Sequence, residues 1–93
     1  MNAAVSMDSI QPMLLCEIEK EIAGISLTYR LFVTYQNRKP RFSVCVRTAD
    51  QSEAELGEDF FQAITRFQML TEQAVTPCTL HDVLCDLRCL ENF

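Results

Sequence analysis

Two runs of strict alternation, joined by a short polar break, limit what this chain can fold into more than any other feature. From Ile25 to Tyr35 the odd positions Ile25, Leu27, Tyr29, Leu31, Val33 and Tyr35 are apolar or aromatic, while Ser26, Thr28, Arg30 and Thr34 fill most of the even ones. After Gln36, Asn37, Arg38, Lys39 and Pro40, the residues Phe42, Val44 and Val46 alternate with Arg41, Ser43, Cys45 and Arg47. A period of two puts the large apolar side chains of each run on one face, and the polar loop is short enough to make the pair an antiparallel hairpin. A sheet with one apolar face has to be covered, so the rest of the chain must supply a second layer.

That layer is legible further on. Phe60, Ala63, Ile64, Phe67 and Leu70, with Phe61 and Met69 beside them, recur at three and four and predict a helix from about Glu58. Leu80, Val83, Leu84 and Leu87 predict a closing helix that ends near Glu91, introduced by Pro77 and by Thr79 with Asp82 at capping-box spacing. The acidic stretch Asp50 to Gly57 reads as a connection; Ser52 and Glu55 also have capping-box spacing, but Gly57 follows too soon for a helix.

Met13 to Ile22 fits two patterns. Leu14, Cys16, Ile18 and Ile22 against Glu17, Glu19 and Glu21 suit a strand, whereas Ile10, Leu14, Ile18 and Ile22 at four-residue spacing suit a helix. Ala23 and Gly24, a tight turn leading straight into Ile25, favour the strand. Residues 1–12 have no period and are expected to form a flexible tail before a single domain at 13–93. The expected class is therefore α+β: a three-stranded antiparallel meander followed by two helices packed on one face, a two-layer sandwich. Its core should contain Leu27, Tyr29, Leu31, Val33, Phe42, Val44, Val46, Ile64, Phe67, Leu70, Leu80, Val83, Leu84 and Leu87.

Composition narrows the function classes. Hydrophobic residues make up 48% of the chain and only two are glycine, which suits a folded domain and not a disordered segment. Five cysteines, an odd number, are spread over strands and helix, so reduced thiols in a cytoplasm are expected in place of a disulfide framework. Met1 to Asp8 carries no lysine or arginine, unlike a secretory leader, and no apolar run reaches the ~20 residues of a membrane span. The net charge of −5 disfavours a general nucleic-acid binder. Its distribution is uneven: Arg30, Arg38, Lys39, Arg41 and Arg47 stand between Ile22 and Ala49 with no acidic residue among them.

Three constellations invite chemistry. Cys78, His81, Cys85 and Cys89 recur at helical spacing on the side opposite Leu80, Leu84 and Leu87, and thiols with an imidazole suit zinc. Four ligands on one straight stripe, spread over about 16 Å of helix axis, do not enclose a tetrahedral ion, so no metal or other cofactor is expected and packing at a helix edge explains the cysteines more simply. Catalysis by a cysteine or by His81 would require a base and an orienting group in one cleft, and adjacent His81 and Asp82 diverge by about 100° on a helix. Asp82 is better read as a cap, and no catalytic residues are expected.

The third constellation is the outer face of the hairpin, where Arg30, Phe32, Arg41 and Arg47 would point away from the helices. One aromatic among arginines is a thin version of a single-strand nucleic-acid platform. The plainer alternatives are a solvated face whose arginines pair with Glu17, Glu19 and Glu21, or a docking patch for a protein partner or a second copy.

The segments Leu27-Thr28-Tyr29-Arg30-Leu31-Phe32-Val33-Thr34 and Val75-Thr76-Pro77-Cys78-Thr79-Leu80-His81-Asp82-Val83-Leu84-Cys85-Asp86 resemble those of a family of small uncharacterised proteins, a domain of unknown function found in anaerobic Firmicutes. The resemblance runs over most of Leu14 to Leu87 and departs from the family's pattern around Gly57, Phe60 and Phe61. It implies a small cytoplasmic bacterial protein and carries over no activity, cofactor or site residue. The functional expectation is a non-enzymatic interaction or regulatory module using the outer sheet face, with a homodimer among its arrangements. A metal- or single-stranded nucleic-acid-binding module is the alternative, and a small enzyme comes third.

Overall fold

The structure, a computed structural model, describes residues 11–91, with side chains as far as Leu87. The expected tail falls mostly at 1–10, outside the described residues. Four strands and two helices follow in chain order: β1 (Met13–Ile22), β2 (Ile25–Gln36), β3 (Lys39–Arg47), β4 (Gln51–Gly57), α1 (Phe60–Glu72) and α2 (Leu80–Glu91). The class is α+β, and the sheet is an antiparallel meander of order β1-β2-β3-β4. The ambiguous first segment is a strand, as the Ala23–Gly24 turn suggested.

The expected three strands are four. Asp50 to Gly57, read above as a connection, contains β4, which pairs with β3 from Arg47 opposite Gln51 to Phe42 opposite Gly57. Its Ser52 and Glu55 are strand residues three apart, which point to opposite faces, so they form no cap. The β2–β3 loop is also shorter than the five polar residues suggested. Gln36 pairs with Lys39 and Tyr35 with Pro40, leaving Asn37 and Arg38 as a two-residue turn with φ of 53° and 67°. Ala23 and Gly24, at φ 52° and 81°, repeat this geometry between β1 and β2. Positive φ at both central residues is the type I′ turn, whose twist matches that of the flanking strands.

Leu27, Tyr29, Leu31 and Val33 of β2, Phe42, Val44 and Val46 of β3, and Leu56 of β4 meet Ala63, Phe67, Leu70, Val75, Leu80 and Leu84 in one buried cluster. Ile64, Val83 and Leu87, expected in the core, are half-buried at its margin, whereas Leu56, Ala63 and Val75 were not anticipated. The helices pack chiefly over the later strands, α1 on β3 and β4 and α2 on β4. Two polar tethers reach them from the earlier strands. Tyr29 Oη donates to the Val75 carbonyl at 2.9 Å, and Lys20 Nζ donates to the Thr71 carbonyl at the end of α1. A cation there lies at the negative end of the helix dipole, on a carbonyl that also accepts from the Ala74 amide.

The helix starts differ from the sequence reading in detail. Asp59 caps α1, accepting from the Phe61 and Gln62 amides through Oδ1 at 2.9 and 3.4 Å. The helix therefore begins two residues later than about Glu58. Thr79 does not form the expected capping box with Asp82, because its hydroxyl turns back to Thr76, lying 3.1 Å from Thr76 Oγ1 and 3.3 Å from the Thr76 carbonyl.

At the end of α1 the Val75 amide donates to the Leu70 carbonyl and the Ala74 amide to that of Thr71, at 3.0 and 3.2 Å. This is a Schellman motif with Ala74, at φ 54°, in the left-handed position that usually belongs to glycine. Ala74→Gly removes the Cβ strain of that conformation, and we expect it to raise the unfolding free energy by about 1 kcal/mol in urea denaturation.

Candidate interaction surface

The antiparallel register fixes what stands on the sheet face away from the core. Arg30 lies between Glu17 of β1 and Cys45 of β3, and Cys45 in turn faces Glu53 of β4. Phe32 lies between Leu14 and Ser43, with Glu55 beyond. Thr28 separates Glu19 from Arg47. The four residues expected on this face are all there, and the register brings them into adjacent rows of one surface on which no other described element packs.

Leu14 is the unexpected member. Alternation from Cys16 would turn it towards the core, but the register shifts between Leu14 and Cys16, and this β-bulge sets Leu14 directly opposite Phe32. An aliphatic and an aromatic side chain therefore adjoin on the outer face, with Leu14 49% exposed and Phe32 half-buried. Such a cross-strand pair contributes roughly 0.2–1 kcal/mol to pairing and presents a continuous apolar spot to solvent.

Charge on this face runs in stripes. Glu17, Glu19 and Glu21 line β1, Arg30, Lys39, Arg41 and Arg47 occupy the middle strands, and Glu53 and Glu55 line β4. Arg30 Nε donates to Glu17 Oε1 at 2.5 Å, and Arg41 Nη1 donates to Glu55 Oε1 at 3.2 Å. Both pairs are well exposed, so they orient side chains more than they stabilise the fold. The expectation that the arginines pair with β1 glutamates holds for Arg30, while Arg41 turns to the strand that was not foreseen. Arg47 makes no ion pair among the described residues. A phosphate backbone laid across these stripes would meet carboxylates on both flanks, which is unfavourable for nucleic acid.

Cys45 sits in the middle of this face yet is buried, 7% exposed. Burial raises its thiol pKa above the ordinary range and Glu53 adds to this, while Arg30 and Arg47 work in the opposite direction. Burial likewise raises the Tyr29 hydroxyl above its ordinary value. Both groups are acids whose folded pKa exceeds the unfolded one, so the stability they confer is full below the unfolded values and is lost as pH rises through the folded ones. Starting from ordinary values of 9.0 and 10.0, we expect urea stability to be flat up to about pH 8 and to fall above pH 9, with Cys45→Ala removing the earlier part of the fall. Alkylation of Cys45 should lag behind that of the exposed Cys78 and Cys85.

The cysteine and histidine stripe does not converge. Cys78 lies in the turn before α2 and not on the helix, while Cys78, His81 and Cys85 are all exposed, and the Cys89 side chain lies outside the described residues. Among the described residues no group of three or more histidine, cysteine or acidic side chains is placed to hold a metal ion. Two hollows open at the hairpin ends, one of about 240 Å³ lined by Gln36, Asn37, Lys39, Arg41 and Glu58, the other of about 270 Å³ lined by Glu19, Lys20, Glu21, Ser26 and Thr28. Both are polar and neither is lined by a cysteine or histidine. No helix among the described residues is long and apolar enough to cross a membrane.

Compared with protein-family models, with curated proteins and with solved structures, the chain gives no match to any of them.

Proposed function

We propose that this protein is a non-enzymatic interaction module that engages a protein partner, a second copy of the chain included, through the outer face of its sheet. The observation that carries this reading is the Leu14 and Phe32 pair, an apolar spot flanked by arginines on a face that no described element covers. Aromatic and arginine side chains are the residues in which interface energy concentrates. Arg30 and Arg41 are held in place by Glu17 and Glu55, which presents them with part of their side-chain entropy already spent. Arg47, exposed and without an ion pair among the described residues, completes the patch.

Phe32→Ala combined with Arg47→Glu tests the proposal. The double variant should keep the parent's circular dichroism spectrum and lose about 1 kcal/mol of stability or less, as surface substitutions do. Its cross-links to partners or to itself, read by mass spectrometry from the cells that make it, should disappear. Cross-links identical to those of the parent would refute a role for this face.

A further inference from the structure

β1 is an edge strand of ten residues, and its two faces differ in kind. Outward stand Glu17, Glu19 and Glu21; on the core side Cys16, Ile18 and Ile22, with Lys20 between the last two and turned to the Thr71 carbonyl, run along a margin that the helices, seated over β3 and β4, leave partly open. Ile22 is 42% exposed, and Cys16 and Ile18 are half-buried. The backbone groups of β1 that do not bond to β2 meet no other described strand. An unpaired edge of this length is a template for strand addition.

We propose that the β1 edge accepts an extended segment of another protein in which apolar and basic residues alternate. The inference rests on the reading of this chain as an interaction module and adds the site and the chemistry of its partner. A strand laid along β1 places every second side chain beside Cys16, Ile18, the methylene stem of Lys20 and Ile22, extending the core, and the intervening ones beside the three glutamates. The hollow bounded by Glu19, Lys20, Glu21, Ser26 and Thr28 gives a long basic side chain room beside Glu19 and Glu21.

A second copy of β1 does not fit this edge. The longest antiparallel β1 pairs with both helical layers on the same side set Glu17 against itself or against Glu19. Like charges directly opposite one another destabilise pairing. Residues 1–10 of the chain are no better matched in charge, since they include Asp8 and no lysine or arginine.

The probe is a synthetic peptide of about nine alternating lysine and valine residues, blocked at both ends, a length that covers β1 at one residue per residue. Fluorescence anisotropy should show saturable binding to the full chain, and hydrogen exchange should show new protection of β1 amides that do not donate to β2. Glu19→Lys with Glu21→Lys should weaken binding by about tenfold or more. A peptide of the same composition with lysines and valines in separate blocks should bind weakly and protect nothing in β1. Equal binding by the block peptide, or the absence of β1 protection, would overturn the proposal. So would β1 amides already protected without peptide, whether in a dimer seen by sedimentation, which puts a second copy on the edge, or in a monomer, which puts residues 1–10 there. Phe32→Ala with Arg47→Glu separates this inference from the face reading. Peptide binding should survive in that variant, while loss of its cross-links with no peptide binding in the parent leaves the face standing and removes the edge.

Discussion

Phe67→Ala is expected to lower the unfolding free energy by about 3–5 kcal/mol, the cost of truncating a fully buried aromatic. Phe67 is 1% exposed and belongs to the buried cluster that α1 forms with the inner face of the sheet, over β3 and β4. The loss combines the transfer free energy of the ring with the cavity that α1 leaves when it collapses only in part. A domain of this size has a total stability of about 5–15 kcal/mol, so the variant should be near the limit of folding and should melt roughly 15–30 °C below the parent. Leu31→Ala, at an equally closed site on β2, should cost about 2–5 kcal/mol. Urea denaturation with an unchanged m-value is the measurement; a loss under about 1 kcal/mol for Phe67→Ala would show that α1 is not seated on the sheet as described.

Leu56→Ala is the second large effect, at about 2–5 kcal/mol, and its consequences should be local as well as global. Leu56 is the one large apolar residue of β4 and is fully buried, while its strand neighbours facing the same way, Ser52 and Ala54, are small. The strand is anchored by this side chain, by its ladder to β3 and by the packing of α1 and α2 on it. Hydrogen exchange in Gln51–Gly57 should therefore accelerate more in Leu56→Ala than exchange in β2. Uniform acceleration across the sheet would mean that β4 unfolds only with the whole domain.

The same residues explain what could and could not be read in advance. β2 and β3 were legible because every inward position holds a large side chain, so the period of two is unmistakable. β4 alternates just as strictly, but its inward residues Ser52 and Ala54 carry little hydrophobic signal and its outward Glu53 and Glu55 look like solvated loop. Missing β4 also hid the partner of Arg41, since Glu55 belongs to that strand. Simple alternation puts Leu14 on the wrong face because a bulge breaks the phase of β1, and no glycine or proline marks the break. Of the proposed surface, the cations and Phe32 followed from periodicity alone, whereas the apolar contact that gives Phe32 its neighbour required the register. Asp59 could have been found as the cap of α1, since an acidic residue just before an apolar helical stripe is the ordinary start signal. The Thr79 and Asp82 spacing was misleading because Thr76 competes for the same hydroxyl.

Strand order identical to chain order has a kinetic consequence. Every strand pairs with its sequence neighbours, and two of the three connections are two-residue turns, so most of the sheet closes through short loops with little entropy lost before contacts form. The β1–β2 and β2–β3 hairpins each close through a two-residue turn and share β2, whose alternation is the most regular in the chain. The sheet is thereby suited to grow outward from its second strand, and β1 emerges from that process already aligned, with an outer side that no other described strand pairs.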